Sequence, residues 1–267
     1  MTRTRGLVLG PGGQVGTAWM AGLAQGLRGL GVDLADVDVV VGTSAGAIVG
    51  AALTTGRDLG ELETLPPSDR SDTGGPAVAA DRLGEVFALL GADGVTPEEA
   101  MRNVGRLAVR AAPFEEERLL AQMAYCIGGD QRWPSVPLLI PVVNAASGLP
   151  RVLDRDSGVP LVRAVAASTA MPTLAPPVTI DGQPHMDGAL RAGGNADLAE
   201  DLDFRIIIEP MAHVFPSAPP APGEVKIAPD AAARAAMGAD VGDMAAWRPS
   251  FLAGMAQAAT VRELLRS

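Results

Sequence analysis

The sequence predicts an α/β fold with a mainly parallel central sheet flanked by helices. Three observations lead there. Two short runs of branched apolar residues, at 6–9 and 37–41, each pass through a glycine-bearing turn into a helical pattern, so strand, helix, strand and helix follow one another within the first 55 residues. Further strand patterns resume after a long helical stretch, at 138–143 and 204–208. The chain has 267 residues, 48% of them apolar but only 3% aromatic, which is enough to bury a large core built from Ala, Val, Leu and Ile.

Taken in order, the first strand delivers the chain into Gly10-Pro11-Gly12-Gly13-Gln14-Val15-Gly16, and a helix is expected from about Thr17. Trp19, Leu23, Leu27 and Leu30 recur at helical spacing on one apolar face, and Gly29 and Gly31 end it. The second strand runs into Gly42-Thr43-Ser44-Ala45-Gly46, followed by a small-residue helix to about Thr54. From about 57 to 135 the alternation stops and a helical insertion is expected over the site. It starts with a Pro- and Gly-rich loop at 65–76. A helix from Ala77 to Leu90 carries an apolar face of Leu83, Val86, Phe87 and Leu90. Thr96-Pro97-Glu98-Glu99 is a capping box with proline at the first helical position, opening a helix to about Ala112. A third helix, from Phe114 to Ile127, has Glu115, Glu116 and Glu117 in its first turn, read as a solvated face.

Strands resume at Leu138, and residues 151–153 pair back as a hairpin, with Pro141 marking an edge or a bulge. A helix from Val159 is stopped by Pro172, and residues 177–187 form a hairpin turning at Asp181-Gly182. After the strand at 204–208 the chain enters a proline-rich connector, then C-terminal helices over about 230–266, broken near Pro249. Neither an internal repeat nor a second-domain boundary interrupts residues 1–267, which read as one domain.

The charge of −10 argues against a nucleic-acid partner, which needs a basic stripe, and against electrostatic docking on anionic membranes. An apolar, transient contact with a lipid surface remains open. One cysteine, Cys126, excludes an internal disulfide and a cysteine-based metal site, and its neighbours place it in a helix core. The N-terminal residues carry no signal-peptide pattern and no stretch is long enough to span a membrane, so a cytoplasmic location is expected. No metal and no cofactor are expected.

Gly42-Thr43-Ser44-Ala45-Gly46 has the G-x-S-x-G pattern between a strand and a helix, the context in which it presents a nucleophile. The turn strains the serine's backbone, and the flanking Gly42 and Gly46 avoid clashes there. The glycine loop lacks the third glycine of a dinucleotide fingerprint, because Val15 stands there, and lacks a phosphate-loop lysine. Beside Ser44 it suits backbone donors for an oxyanion instead. A serine needs a proton acceptor. The order Ser44, Asp187, His213 fits a histidine triad, and His185 lies two residues before Asp187. Alternatively the Asp187 carboxylate takes the proton directly, with Gly188 letting the backbone pass close to the elbow.

The glycine loop with Gly10 and Gly16, the Gly42–Gly46 elbow and Asp187-Gly188-Ala189, in this order, resemble the patatin-like phospholipase family. Residues 166–172 are similar to that family's helix before the aspartate hairpin. The resemblance implies a Ser–Asp dyad that hydrolyses lipid acyl esters without metal or histidine. It makes Ser44 the nucleophile, Asp187 the base, and the amides of Gly12, Gly13 and Ala45 the oxyanion donors. The chain departs from the family where Val15 stands for a basic residue and Pro11 for glycine. A non-catalytic protein of the same fold that binds lipid or a protein partner is the competing class. If the protein acts on lipid, the apolar faces at Leu83, Val86, Phe87 and Leu90 and at Leu119, Leu120 and Met123 are expected to include a hydrophobic mouth over Ser44.

Overall fold

The computed structural model describes residues 3–64, 76–129 and 132–266, with the backbone alone for 76–81. The loop expected at 65–76 falls outside the described residues up to 75. In chain order the elements are β1 (Arg5–Leu9), α1 (Gly13–Gly29), β2 (Val39–Gly42) and α2 (Ala45–Thr54), then α3 (Pro76–Leu90), α4 (Pro97–Arg110) and α5 (Glu116–Ile127). There follow β3 (Leu138–Asn144), β4 (Pro150–Leu153), α6 (Leu161–Ser168), β5 (Val178–Ile180), β6 (Gln183–Asp187), α7 (Ala189–Ala192), β7 (Phe204–Ile208), β8 (Glu224–Ile227), α8 (Ala231–Met237) and α9 (Trp247–Leu264).

The sheet order is β5-β6-β3-β2-β1-β7-β8, with β4 also paired to β3. From β3 to β8 the neighbours are parallel, and β4, β5 and β6 add an antiparallel end. Both faces are covered, which is why the parallel strands read as continuous apolar runs rather than alternating ones. Leu7 and Leu9 of β1 enter the main core with α1 and α2, while Val8 faces the other way and joins Val41, Ile207 and Ala199.

Register brings the site together. Leu9 of β1 stands opposite both Gly42 and Ile208, so the turns after β1, β2 and β7 leave the sheet side by side. Val41 pairs with Leu139, and three residues further along β3 Val142 pairs with Asp187 of β6. Ser44 is likewise three residues past Val41, so the antiparallel strand returns Asp187 to the level of the elbow.

Several expectations change in the folded chain. The first helix starts at Gly13 rather than Thr17, because Gly16 N–H already bonds Gly12 C=O at 2.9 Å and most of the glycine loop is the helix's first turn. Pro141 is not at an edge: β3 is an interior strand, and proline sits where it stops pairing with β2 and takes up β4 and β6. A residue without N–H suits that switch of partners. Pro249 does not break a helix but lies in the first turn of α9, where its missing N–H would have had no intrahelical acceptor. The break falls between α8 and α9 instead. β8 was not anticipated, since a four-residue edge strand carrying Glu224 and Lys226 gives almost no apolar signal. In the helical stretch, Thr96 Oγ1 accepts the Glu99 N–H at 3.3 Å, the N-terminal half of the expected capping box. Glu116 does not face solvent freely, since it pairs with Arg163 and accepts from Thr179.

Gln257 of α9 ties the C-terminal helices to the rest. Its Oε1 accepts from Trp19 Nε1 at 3.0 Å and from the Asp230 amide at 3.3 Å, while its Nε2 donates to Ala228 C=O at 2.8 Å. Gln257→Leu leaves these buried partners without bonds, and a loss of about 1–3 kcal/mol of unfolding free energy is expected. Urea titration followed by tryptophan fluorescence measures it, and a variant as stable as the parent would contradict this account.

Candidate active site

Ser44 sits between β2 and α2 at φ 55 and ψ −118, a backbone conformation that side-chain-bearing residues rarely adopt. The turn is possible because the chain packs tightly behind it: a Cβ on Gly46 would lie 2.0 Å from Leu9 C=O. The result is a half-buried serine whose Oγ donates to Asp187 Oδ2 at 2.8 Å.

Asp187 ends β6 and has no exposed surface. Its second oxygen, Oδ1, accepts the Ala189 N–H at 2.8 Å, and its own N–H donates to Ala170 C=O at 3.0 Å. Gly188 permits this approach to β3, since a Cβ there would meet Pro141 C=O at 2.0 Å. Burial pushes the Asp187 carboxyl up from 3.8 to about 7, only partly offset by the hydrogen bonds from Ala189 and Ser44.

The amides of Gly12, Gly13 and Ala45 donate to no protein group among the described residues. By contrast, Gln14 N–H and Val15 N–H are both held by Val241 C=O, at 2.7 and 3.3 Å. The Val15 side chain is buried in the core, so no cation projects from that position.

The two histidines lie elsewhere. His185 is buried, its Nδ1 2.9 Å from Gln183 C=O, beside a surface groove that Arg151 and Asp181 also line, and burial lowers its pKa. His213 is exposed in a turn after β7. Neither hydrogen-bonds Ser44. Cys126 is buried in the core as expected, and burial pushes its thiol up to about 11. Among the described residues, no three His, Cys, Asp or Glu side chains gather as a metal's ligands would. Nor is any described helix long and apolar enough to cross a membrane.

Three further residues support the site without having been singled out from the sequence. Ser168, at the end of α6 and fully buried, accepts the Ser44 N–H at 3.1 Å and its hydroxyl donates to Pro141 C=O at 2.8 Å. Thr43 and Asn195 are equally buried and bonded to each other at 3.0 Å. Ser168 lies inside the family-like block at 166–172, the one signal that pointed towards it, whereas nothing local marks Asn195.

The sequence model of the family described as patatin-like phospholipase matches residues 7–200, a stretch that starts within β1 and includes the elbow and Asp187. The chain belongs to the patatin-like phospholipase family. As a member it is a lipid acyl hydrolase. Among solved structures, the crystal structure of VipD from Legionella pneumophila is similar at 13% identity and a TM-score of 0.49, over 99% of this chain and 67% of that one. The crystal structure of the type III effector protein ExoU is similar at 16% identity and a TM-score of 0.37, over 98% of this chain and 53% of that one. The chain thus spans about two thirds of the first protein and about half of the second. No curated protein matches.

The buried carboxylate has a consequence for stability. In the unfolded chain Asp187 ionises near 3.8, in the folded protein near 7, so between these values the unfolded state loses the proton first. This group's contribution therefore lowers stability as pH rises from about 4 to about 7 and stays constant above. Asp187→Asn removes that dependence. The thermal midpoint of the variant minus that of the parent should increase across this window and level off beyond it. A difference independent of pH would mean that the carboxyl titrates normally.

Proposed function

We propose that the chain hydrolyses lipid or other carboxylic esters with Ser44 as nucleophile, Asp187 as its general base and the Gly12, Gly13 and Ala45 amides as oxyanion donors. The observation that carries this reading is the 2.8 Å hydrogen bond from Ser44 Oγ to the buried Asp187 Oδ2. In the first step the hydroxyl proton moves to the ionised carboxylate as Oγ bonds the carbonyl carbon. The carbonyl oxygen gains negative charge, which donors already in place stabilise without reorganisation. Protonated Asp187 then returns the proton to the departing alcohol, leaving an acyl ester on Ser44. Water, giving its proton to the same carboxylate, repeats the sequence and frees the acid.

Environment suits Asp187 to this task. An ordinary carboxylate is too weak a base for a serine proton, and burial raises its proton affinity towards the working pH. Ser168 also contributes. It holds the Ser44 N–H, which leaves the neighbouring Ala45 N–H to face the reacting carbonyl. Loss of the family's cation at Val15 takes away long-range field but none of the three backbone donors.

Ser44→Ala should fold normally and no longer react with a serine-directed fluorophosphonate. Asp187→Asn should lose about 100- to 10,000-fold in kcat on a short acyl ester. His185→Ala and His213→Ala should retain most activity. Because the base acts ionised, kcat/KM should rise with pH through about 7 and then level. A thousand-fold loss in a folded histidine variant would replace the dyad with a triad.

We also propose that lipid is approached through apolar contact. The face at Leu119 and Met123 is buried in the core and serves no such role, nor does Val86. Phe87 of α3 and Phe215 after β7 remain, 53% and 58% exposed, with ring centroids 6.2 Å apart and Val214 also exposed. Phe87 lies within α3, and Phe215 in the segment that follows β7. Binding to neutral vesicles should therefore change little between about 0.1 M and about 1 M salt, which shortens the Debye length from about 10 to about 3 Å. Phe87→Ser with Phe215→Ser should weaken it. A steep fall in binding with salt would identify an electrostatic contact instead.

A further inference from the structure

We infer that Asn195 is a positioning residue for the Ser44–Asp187 pair: its buried carboxamide ties the turn before the serine to the turn after the aspartate. The inference rests on the proposed dyad and adds what holds its two halves at bonding distance.

Asn195 has no exposed surface and adopts φ 56, the left-handed region that asparagine tolerates better than most residues. From there its Nδ2 reaches three oxygens: Thr43 Oγ1 at 3.0 Å, Gly188 C=O at 3.1 Å and Gly193 C=O at 3.0 Å. Thr43 immediately precedes Ser44, and Gly188 immediately follows Asp187. Two N–H bonds serve three acceptors, so one proton is shared. Asn195 Oδ1 accepts from Arg191 Nη1 at 2.8 Å, and Arg191 forms a two-point ion pair with Asp197 at 2.9 and 2.6 Å. Arginine has no acceptor, so the carbonyl end of the amide must face it and the NH2 end must face the three oxygens.

The chemistry requires an amide. A carboxylate there would set its oxygens against two backbone carbonyls, and a hydroxyl is too short to span Thr43 and Gly188. On the other flank the end of α6 and the turn after it brace the same pair, with Ser168 on the Ser44 N–H and Ala170 C=O on the Asp187 N–H. The dyad is thus held from both sides, and Asn195 is the brace that joins the elbow directly to the turn after the aspartate.

Thr43→Val tests this by removing that acceptor, together with the long 3.5 Å bond that Thr43 Oγ1 donates to Gly194 C=O, while keeping the side chain's shape. Asn195→Asp is the more direct change but puts a buried carboxylate against carbonyls, so Thr43→Val decides where Asn195→Asp fails to fold. Both are made in the full chain. Three quantities are read: fluorophosphonate labelling of Ser44 against pH, kcat and KM on a short acyl ester, and thermal unfolding. Loosening the pair should lower kcat and the labelling rate about 10- to 100-fold with little change in KM. It should also move the pH midpoint of labelling upward, since the Ser44 hydroxyl helps hold the Asp187 carboxyl down. Thr43→Ser keeps the acceptor and should restore the parent's midpoint. The inference is overturned if folded Thr43→Val shows the parent's kcat and midpoint, or if its loss merely tracks the loss of folded protein at an unshifted midpoint. Ser44→Ala separates the two readings. If it still labels, the dyad itself fails. If it does not label while Thr43→Val behaves as the parent, only the role of Asn195 falls.

Discussion

A carboxylate without exposed surface is the feature on which the rest of this site depends. Burying Asp187 is unfavourable unless its oxygens are bonded, and here Ser44 and the Ala189 amide take one each. The same burial raises the group's affinity for a proton, so the constraint that costs stability is also what makes the carboxylate basic. A histidine base, which the proposed dyad lacks, would avoid this compromise, because imidazole is a neutral base near pH 7. Here the fold itself must keep water from the carboxylate.

That demand explains the architecture around it. β3 changes partners at Pro141, pairing with β2 before it and with the antiparallel β6 after it. The parallel part of the sheet sets Ser44 at the end of β2, and the antiparallel part brings Asp187 back to the same level. Two close backbone approaches, Gly46 against Leu9 and Gly188 against Pro141, let the segments meet without space for solvent between them. Pro141 C=O accepts from the Ser168 hydroxyl, which in turn fixes the serine's amide. One irregular residue in a strand therefore supports both halves of the site.

The family assignment and the geometry carry different weight. Membership makes the chain a lipid acyl hydrolase, whereas the proposed division of labour among Ser44, Asp187 and the loop amides is argued from distances and burial in this fold. With Val15 buried, the proposed oxyanion stabilisation rests on the main chain. Gly12, Gly13 and Ala45 offer their amides whatever side chain follows, because helix geometry leaves the first N–H groups unbonded.

What the sequence by itself determined is local: strand, strained turn and helix at Ser44, the hairpin at 177–187 with its terminal Asp187, the Thr96 helix start, and the buried Cys126. Each is set by residues within a few positions of one another, where backbone preference and apolar spacing act directly. Local reading failed where a residue's meaning depends on its place in an element. Pro249 reads locally as a break, but proline is tolerated in a helix's first turn, and where α9 starts is decided by packing. The four residues of β8 are a strand only because β7 lies beside them. The Ser44–Asp187 pair, 143 residues apart, was legible only through the family resemblance, and tertiary structure alone decided the rest of what meets there: Ser168 and Ser44 are 124 residues apart, Asn195 and Thr43 152. Contacts across such separations are created by strand register and helix docking, which no short stretch of sequence encodes.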